Sequence, residues 1–204
     1  MNRFRIEMTQ QESAVLQVIP GAELRELLRK REITIDPILE QKQVQSVSVD
    51  LRLDSLFGEF KSTEEAQIDP ADIKPDYLEL VELEAYKARY VIQPGDLVLA
   101  QTFEYIALPN NVVGLLEGRS SVGRQGLMVH VTAGIVDPGF SGHLVFELAN
   151  VGKMPIIVYP LMRVARIMFI RTQKTDAYSG QYSIQVRIRK PSVDPDLTKI
   201  RSRM

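Results

Sequence analysis

The sequence predicts a mainly β fold with one short helix near its N-terminus. From residue 78 onward, strand-length apolar runs recur roughly every 8–12 residues. Turn-forming pairs separate these runs, for example Pro94-Gly95 and Pro109-Asn110. This spacing is typical of a β-sandwich or a β-barrel. The chain has 204 residues, 45% of them apolar, which suits one domain with a full core.

The N-terminal part contains the predicted helix. Residues 22–31 read AELRELLRKR, in which Leu24, Leu27 and Leu28 fall on one helical face. Residues 1–20 are expected to form an N-terminal arm, which a Pro-Gly pair separates from the helix. The arm ends in an apolar run that either a strand or an extended segment would explain.

Apolar runs and alternating patterns predict the strands. The run 47–53 alternates strictly, and its polar members are Ser48, Asp50 and Arg52. We expect that face of the strand to be wet or to face a site. The predicted strands are 14–19, 32–37, 47–53, 78–83, 90–92, 97–103, 105–108, 112–116, 154–159 and 164–170.

Two segments lie outside this pattern. Residues 61–77 are polar and contain two prolines, so we expect a surface excursion without a chemical role. Residues 171–204 contain few large apolar side chains. We expect a C-terminal lid or tail there, either disordered or lying on a neighbouring subunit. The whole chain, 1–204, is interpreted as a single domain.

The composition excludes several classes of protein. A net charge of −1 provides no basic surface for a nucleic-acid duplex, so no nucleic-acid partner is expected. The absence of cysteine excludes disulfides and thiolate metal sites. No run is long and apolar enough to span a bilayer, and the N-terminus lacks the apolar segment of a signal peptide. We therefore expect a cytoplasmic protein without a membrane partner.

The stretch 117–150 concentrates the residues that suit chemistry. Arg119 and Arg124 flank two serines, Ser120 and Ser121. Guanidinium forks, hydroxyls and backbone N–H groups together suit phosphate oxygens. An ordinary polar surface loop would show a similar pattern. The second arginine favours a polyanion, so we interpret the segment as part of a nucleotide site.

Glu147 is an ionisable residue inside an apolar run. On a strand it shares its face with Val145 and Ala149. If that face lines a pocket, burial would raise the pKa of the carboxyl group, as general-base chemistry near neutral pH requires. An exposed strand face, or an ion pair in the core with one of the arginines, would explain the same pattern.

Asp137 and the two histidines have two interpretations each. A hairpin could bring Asp137 beside Glu147, but an aspartate before Pro-Gly also caps an ordinary turn. His130 lies in an apolar run, where a histidine is more often a packed core residue than a catalyst. His143 resembles a residue on an exposed strand face.

A zinc-dependent mechanism is excluded by the residue counts. Zinc nucleobase deaminases need cysteine ligands, and this chain has no cysteine and two histidines. A hydrolytic water would then be activated by a carboxylate and fixed dipoles, or by a metal held mainly through substrate phosphates.

Several motifs together resemble the dCTP deaminase family in order and spacing. The resemblance covers about residues 22–185. It implies the fold of trimeric dUTPases, which is a distorted β-barrel or jelly-roll-like core with active sites at subunit interfaces. The matching segments are 48–53, 93–100, 118–127, 130–133, 137–142 and 147–150.

The resemblance implies a role for each matching residue. Glu147 matches the general base that activates water for attack on cytosine C4, with Ser120 and Arg124 orienting the base, the water and the carboxylate. Asp137 matches an acid near the deoxyribose, which helps to position the attacking water in dUTPase-like members. The resemblance also implies Mg²⁺ bound through the triphosphate, and no metal ligands on the protein. The implied nucleotide-binding residues are Arg119, Ser120, Ser121, Arg124, His130, Thr132, Ala133 (through its carbonyl), Asp137, Tyr178, Tyr182 and Gln185.

The family has two branches. One releases dUTP and ammonia from dCTP, and the other continues to dUMP and pyrophosphate. Gly134 after Ala133 resembles the second branch, since the deaminase-only branch tends to have His-Arg at that point. We therefore expect the bifunctional reaction in the supply of dTTP precursors. A deaminase alone, a dUTPase alone and a non-catalytic nucleotide-binding regulator are the alternatives.

This sequence also departs from the family pattern. Gln181 stands where the family usually has a lysine that contacts phosphate, and Arg166 stands where a glutamine is common. The usual Gly-Pro run after Gln185 is replaced by VRIRK at 186–190. Within that run, an arginine at 187 or 189 could supply the missing positive charge.

Overall fold

The computed structural model describes residues 17–61, 68–71, 77–84, 88–180 and 183–189. Within these ranges eleven strands form one continuous sheet and two more form a small second sheet, so the mainly β prediction is confirmed. The strands are β1 Gln17–Val18, β2 Thr34–Asp36, β3 Ser48–Phe60, β4 Leu78–Glu82, β5 Tyr90–Ile92, β6 Leu97–Ala107, β7 Val112–Gly118, β8 Leu127–Met128, β9 Ile135–Val136, β10 Ser141–Asn150, β11 Ile156–Val158, β12 Arg163–Arg171 and β13 Ile184–Gln185. The helices are α1 Gly21–Arg29 and α2 Ser120–Gly123, with a short 3₁₀ turn at Gln41–Gln43.

Helix α1 confirms the amphipathic segment predicted near the N-terminus. Its buried leucines, Leu24 and Leu27, pack into the main core. Glu23 lies in the first turn and Arg29 in the last, which matches the helix dipole at both ends. Glu23 also pairs with Arg171 of β12 and ties the helix to the sheet. No helix among the described residues is both long and apolar enough to cross a membrane.

Strand β3 lies at the centre of the main sheet. It pairs antiparallel with β6 on one side and with β12 on the other. Its polar face is not wet, because Ser48, Asp50 and Arg52 are only 4%, 2% and 4% exposed. The alternation in the sequence was correct, but both faces of this strand are covered.

Strand β6 is continuous, so the prediction of two strands at 97–103 and 105–108 is wrong. Glu104 falls where those two runs were divided, and it is fully buried. It accepts hydrogen bonds from the backbone N–H of Arg52 at 2.9 Å and from its Nη1 at 3.1 Å. Gln43 Nε2 donates to the same carboxylate at 2.8 Å. These partners allow a charged residue to continue the strand through the core.

Glu104 and its partner Arg52 are both buried. Burial raises the pKa of the Glu104 carboxyl above its usual value, and the hydrogen bonds from Arg52 oppose that effect. Arg52 Nη2 also contacts Glu40 at 2.8 Å, so two carboxylates share one buried guanidinium. Removing one member of a buried ion pair typically costs about 3–5 kcal/mol, because the other charge loses its partner.

Strand β10 places the candidate site residues. It pairs antiparallel with β6 along most of its length and with β8 at its C-terminal end. Near its start it pairs in parallel with β13 from the C-terminal segment. Burial alternates along β10, with Phe146 and Leu148 in the core. Glu147 therefore points to the opposite, partly open face.

Candidate active site

A cleft of about 400 Å³ lies against the partly open face of β10. This volume is within the range of small-molecule sites, roughly 300–1,000 Å³. Five of the residues that the sequence assigned to the site line this one cleft: Ala133, Asp137, Glu147, Tyr178 and Gln185. Arg189, which the sequence offered as a replacement cation, also lines the cleft. The sequence did not identify the rest of the lining, which is apolar: Phe60, Leu97, Leu99, Leu116, Ile135, Val136, Phe140, Leu144 and Val145.

Glu147 is held by the loop that follows β8. Its Oε2 accepts the backbone N–H groups of Val131 and Thr132, each at 2.9 Å. Its Oε1 has only a long contact of 3.5 Å with the Thr132 hydroxyl. Two backbone donors on one oxygen fix the carboxylate and leave the second oxygen available to a ligand in the cleft. Of the interpretations of this residue, the structure supports the pocket.

Ala133 and Asp137 reach the cleft on either side of β9. This strand pairs with β7, and Leu116 donates its backbone N–H to the carbonyl of Gly134 at 2.8 Å. Gly134 fits closely there, because a Cβ would lie 3.2 Å from the His130 ring. A side chain at position 134 would therefore require the His130 ring to shift.

Asp137 lies in a turn and lines the cleft, but the hairpin considered for it is not formed, because β9 pairs with β7. Its carbonyl accepts the N–H of Phe140 at 3.2 Å, which closes the turn. Gly139 within that turn has a φ of +82°, which favours glycine. The side chain of Asp137 is exposed and lines the same cleft as Glu147. The turn thus presents the acid to the site.

The C-terminal segment closes one side of the cleft. Strand β13 lies so near Gly142 that a Cβ there would be 2.3 Å from the carbonyl oxygen of Gln185. Ile188 is buried against Leu56 and Leu78 and donates its N–H to Gln101 at 3.2 Å. This docking brings Gln185 and Arg189 to the cleft, so part of the predicted lid is packed on the sheet.

The two arginines of this segment have different surroundings. Arg187 pairs with Glu82 at 2.9 Å on the surface. Arg189 lines the cleft, and its Nη2 donates to the carbonyl of Ile184 at 2.8 Å. Among the described residues that line the cleft, Arg189 is the one cation. Of the two replacements considered for the missing lysine, the structure places Arg189 at the site.

The arginine-serine turn does not line this cleft. Helix α2 starts directly after Arg119, whose backbone N–H donates to Val164 at 2.9 Å. Ser120, Ser121 and Arg124 are exposed. Within one chain the structure therefore brings Ala133, Asp137 and Glu147 together, but not the residues of this turn.

Three further candidates have other surroundings. His130 is half-buried, and its Nε2 lies 3.7 Å from Glu117 rather than in the cleft. Thr132 contributes through its bonds to Glu147. Tyr182 lies outside the described residues, as do 1–16 of the N-terminal arm and 190–204 of the tail. His143 is not simply a surface residue, because its Nδ1 is hydrogen-bonded to the carbonyl of Thr102 at 2.8 Å.

A mainly β fold with a fixed carboxylate in a concave site is typical of enzymes that act on small molecules. Comparison with known proteins identifies the family. The dCTP deaminase-like family model matches residues 18–172. The chain belongs to the dCTP deaminase-like family, as the sequence motifs indicated.

Individual relatives agree with this assignment. A protein of Methanosphaera stadtmanae named dCTP deaminase, dUMP-forming, is 42% identical over 156 residues, covering 76% of this chain and 79% of the relative. One of the same name from Acidothermus cellulolyticus is 43% identical over 155 residues, covering 76% and 80%. The crystal structure of 2'-deoxycytidine 5'-triphosphate deaminase from Agrobacterium tumefaciens has a TM-score of 0.61 at 21% identity. The match covers 76% of this chain and 48% of that one, so it compares the fold over about half of that structure.

Proposed function

We propose that this chain deaminates dCTP and hydrolyses the resulting dUTP to dUMP and pyrophosphate, in the supply of dTTP precursors. The observation that carries the proposal is that Glu147 and Asp137 line the same cleft. The family assignment and the relatives named as dUMP-forming support it. Two acids in one cleft provide a proton acceptor for one step and a water-orienting group for the other.

The first step is hydrolytic deamination. Oε1 of Glu147 takes a proton from water while the water oxygen forms a bond to C4 of the cytosine and the C4=N3 π electrons move to N3. Glu147 then passes that proton to the amino group, the C4–N4 bond breaks and ammonia leaves as the C4=N3 double bond re-forms. Transfer of the hydroxyl proton to N3 gives the uracil base. The N–H groups of Val131 and Thr132 hold the carboxylate in place throughout. The carbonyl of Ala133, on the cleft wall, is the proposed acceptor for the attacking water.

The second step is hydrolysis of dUTP. Asp137 orients a water molecule whose oxygen forms a bond to the α-phosphorus while a water proton passes to solvent. The bond from that phosphorus to the bridging oxygen breaks, and its electron pair stays on pyrophosphate. The products are dUMP and pyrophosphate. Tyr178, Gln185 and Arg189 lie where they can contact the nucleotide along the cleft wall. Tyr182 and His130 are further proposed contacts from the family resemblance.

A neighbouring subunit completes this site in our proposal. A triphosphate carries at least three negative charges, whereas Arg189 is the one cation among the described residues of the cleft wall. The exposed group of Ser120, Ser121 and Arg124 has donors but lies outside its own cleft. We therefore propose a cytoplasmic homotrimer in which the turn from Arg119 to Arg124 enters the cleft of the next subunit. Ser120 and Arg124 would then orient the base, the water and the Glu147 carboxylate.

Magnesium would bind through the substrate. Mg²⁺ prefers oxygen ligands and commonly binds through substrate phosphates and one or two carboxylates. The cleft offers the carboxylate of Asp137, and among the described residues no three His, Cys, Asp or Glu side chains converge as a metal cluster. Asp137 fits such an ion alongside the triphosphate, where bound Mg²⁺ would neutralise phosphate charge.

A product assay tests the proposed function. Purified protein is incubated with dCTP and Mg²⁺, and ammonia, dUTP, dUMP and pyrophosphate are measured over time. We expect ammonia, dUMP and pyrophosphate in equal amounts. Ammonia with dUTP alone would indicate a deaminase, and turnover of added dUTP but not dCTP would indicate a dUTPase. No turnover of either nucleotide would contradict the proposal and favour a regulator.

A further inference from the structure

Asp50 is a buried carboxylate surrounded by arginines. It lies on β3 and is 2% exposed. Its Oδ2 is 3.3 Å from Nη1 of Arg163, and its Oδ1 is 3.7 Å from Nε of Arg119. Arg166 is its direct cross-strand partner on β12, so the two side chains start on the same face of the sheet. None of these contacts touches the cleft that contains Glu147.

Arg119 is the member of this cluster that belongs to the proposed phosphate-binding turn. Its Nη1 donates to the carbonyl of Arg163 at 3.2 Å, and its Nε faces Asp50. A guanidinium has five N–H donors in a rigid fork. Among the described residues, Nη2 of Arg119 has no hydrogen-bond acceptor. Nη1 and Nε of Arg119 therefore face protein groups, and Nη2 remains available to a ligand.

The Asp50–Arg119 pair is incompletely satisfied. Oδ1 of Asp50 and Nε of Arg119 are both buried without a hydrogen-bond partner, although they face each other at 3.7 Å. Buried polar atoms without partners cost free energy, so their presence needs an explanation. A long arginine side chain also loses rotamer entropy when it is fixed. Because Asp50 already restricts the Arg119 side chain, less rotamer entropy is lost when a ligand binds.

We propose that Asp50 is a positioning residue, which holds the guanidinium of Arg119 so that its free edge meets the triphosphate. This inference rests on the proposed function, because the ligand of Arg119 is the nucleotide's phosphate chain. Asp50 does not touch the nucleotide. It acts through Arg119, and Arg163 supports the same carboxylate from the other side.

The test is a double-mutant cycle on nucleotide affinity. In Asp50→Asn the Kd and the KM for dCTP should rise about tenfold, while kcat for ammonia release stays within about threefold. The Kd for deoxycytidine, which has no phosphate, should not change. In an Arg119→Ala background the Asn substitution should have no further effect on the Kd for dCTP, because the residue through which it acts is gone.

A matched control is Glu23→Gln. Glu23 is also the carboxylate partner of an arginine on β12, in this case Arg171, but it lies on α1. That variant should bind dCTP like the wild type. Circular dichroism and thermal unfolding of each variant show whether the fold is kept.

The possible outcomes separate this inference from the proposed function. If Asp50 only neutralises the nearby arginines, Asp50→Asn leaves a more positive cluster and binds dCTP more tightly, which overturns the inference. Unchanged affinity, or an equal loss in both Arg119 backgrounds, overturns it as well. A wild type that neither binds nor turns over dCTP removes the proposed function, and this inference with it.

A second measurement covers the case in which Asp50→Asn does not fold. In ¹⁵N NMR of the wild-type protein, the Arg119 Nε–H should give a distinct signal with slow exchange, assigned by its loss in Arg119→Lys. A signal that exchanges as fast as those of exposed arginines would show that the guanidinium is not held, and would overturn the inference.

Discussion

Oε2 of Glu147 accepts the backbone N–H of Thr132 at 2.9 Å. This bond joins β10 to the loop between β8 and β9, two elements that are not paired as strands at that point. The neighbouring N–H of Val131 adds a second bond to the same oxygen. The loop thus sets the direction of the carboxylate, and the carboxylate in turn holds the loop beside the cleft.

Glu147→Gln should separate binding from chemistry. A glutamine carbonyl can still accept the N–H groups of Val131 and Thr132, so the loop and the cleft should keep their form. It cannot take a proton from water. We expect ammonia release from dCTP to fall about 10²–10⁴-fold, with the Kd for dCTP changed by less than about threefold. Stopped assays for ammonia and calorimetry for binding measure the two effects.

The control for Glu147→Gln is Glu79→Gln, an exposed carboxylate on β4 that pairs with Lys61. It should retain normal turnover. Turnover of Glu147→Gln at the wild-type rate would rule out this residue as the proton acceptor.

Asp137→Asn should divide the two reactions. The side chain keeps its size in the turn before Gly139, and Glu147 is untouched. We expect ammonia release to continue within about threefold of the wild-type rate, whereas dUMP formation falls about 10²-fold or more. dUTP should then accumulate, which chromatography of the nucleotides detects. Asp96→Asn, in the turn before β6 where Asp96 accepts the N–H of Gln93, serves as the control, because Asp96 does not line the cleft. Equal loss of both products would contradict separate roles for the two acids.

Local patterns in the sequence predicted most of the strands and the helix α1. They divided β6 in two because Glu104 interrupts an apolar run, and its partner Arg52 lies 52 positions earlier in the chain. The same limit applied to β3, whose polar face was predicted to be wet or to face a site, whereas Ser48, Asp50 and Arg52 are buried. Contacts between residues so far apart in the sequence cannot be recognised from local patterns.

The sequence identified several residues that line the cleft, but not which of the candidates lie together in one chain. Glu147, Asp137 and Ala133 do meet in one cleft. Arg124 lies in the same stretch of sequence, but β8 pairs with the far end of β10 and carries the turn away from the cleft. The apolar wall of the cleft could not be distinguished from core residues by pattern. The polar alternation around Asp50 was interpreted as a wet or site-facing strand face, and it did not identify the buried cluster behind Arg119.

Gly142→Ala should release the C-terminal segment. Gly142 has a φ of +149°, and an added Cβ would lie 2.3 Å from the carbonyl oxygen of Gln185. We therefore expect β13 to leave β10 and take Gln185 and Arg189 from the cleft wall. The KM for dCTP should rise roughly tenfold, since a hydrogen bond to a charged group contributes about 1.5–3 kcal/mol. Hydrogen exchange at 183–188 should become fast.

A stability control for Gly142→Ala is Gly123→Ala in α2, where a Cβ would meet nothing within 4 Å. Its unfolding temperature should be at or above that of the wild type. Slow exchange at 183–188 in Gly142→Ala would show that the segment tolerates the added methyl group.

Glu104→Gln should change how the stability of the protein depends on pH. Burial raises the pKa of Glu104 in the folded protein above its usual value of 4.5. The folded state therefore holds this proton more tightly than the unfolded chain. Its contribution to stability is fully present below pH 4.5 and is lost as the pH rises through the folded-state pKa. The wild type should thus lose stability relative to Glu104→Gln over that range, with a slope of at most about 1.4 kcal/mol per pH unit.

Urea unfolding of both proteins at intervals between about pH 5 and pH 9 measures the difference in their free energies of unfolding. The prediction concerns how this difference changes with pH, not its value at any one pH. Glu26→Gln is the control, because Arg29 holds the pKa of Glu26 at about 2 and its carboxylate stays ionised over the whole range. The difference between Glu26→Gln and the wild type should therefore be constant with pH. If the difference for Glu104→Gln is also constant, or changes in the opposite direction, the hydrogen bonds from Arg52 outweigh burial at Glu104 and keep it ionised in the core.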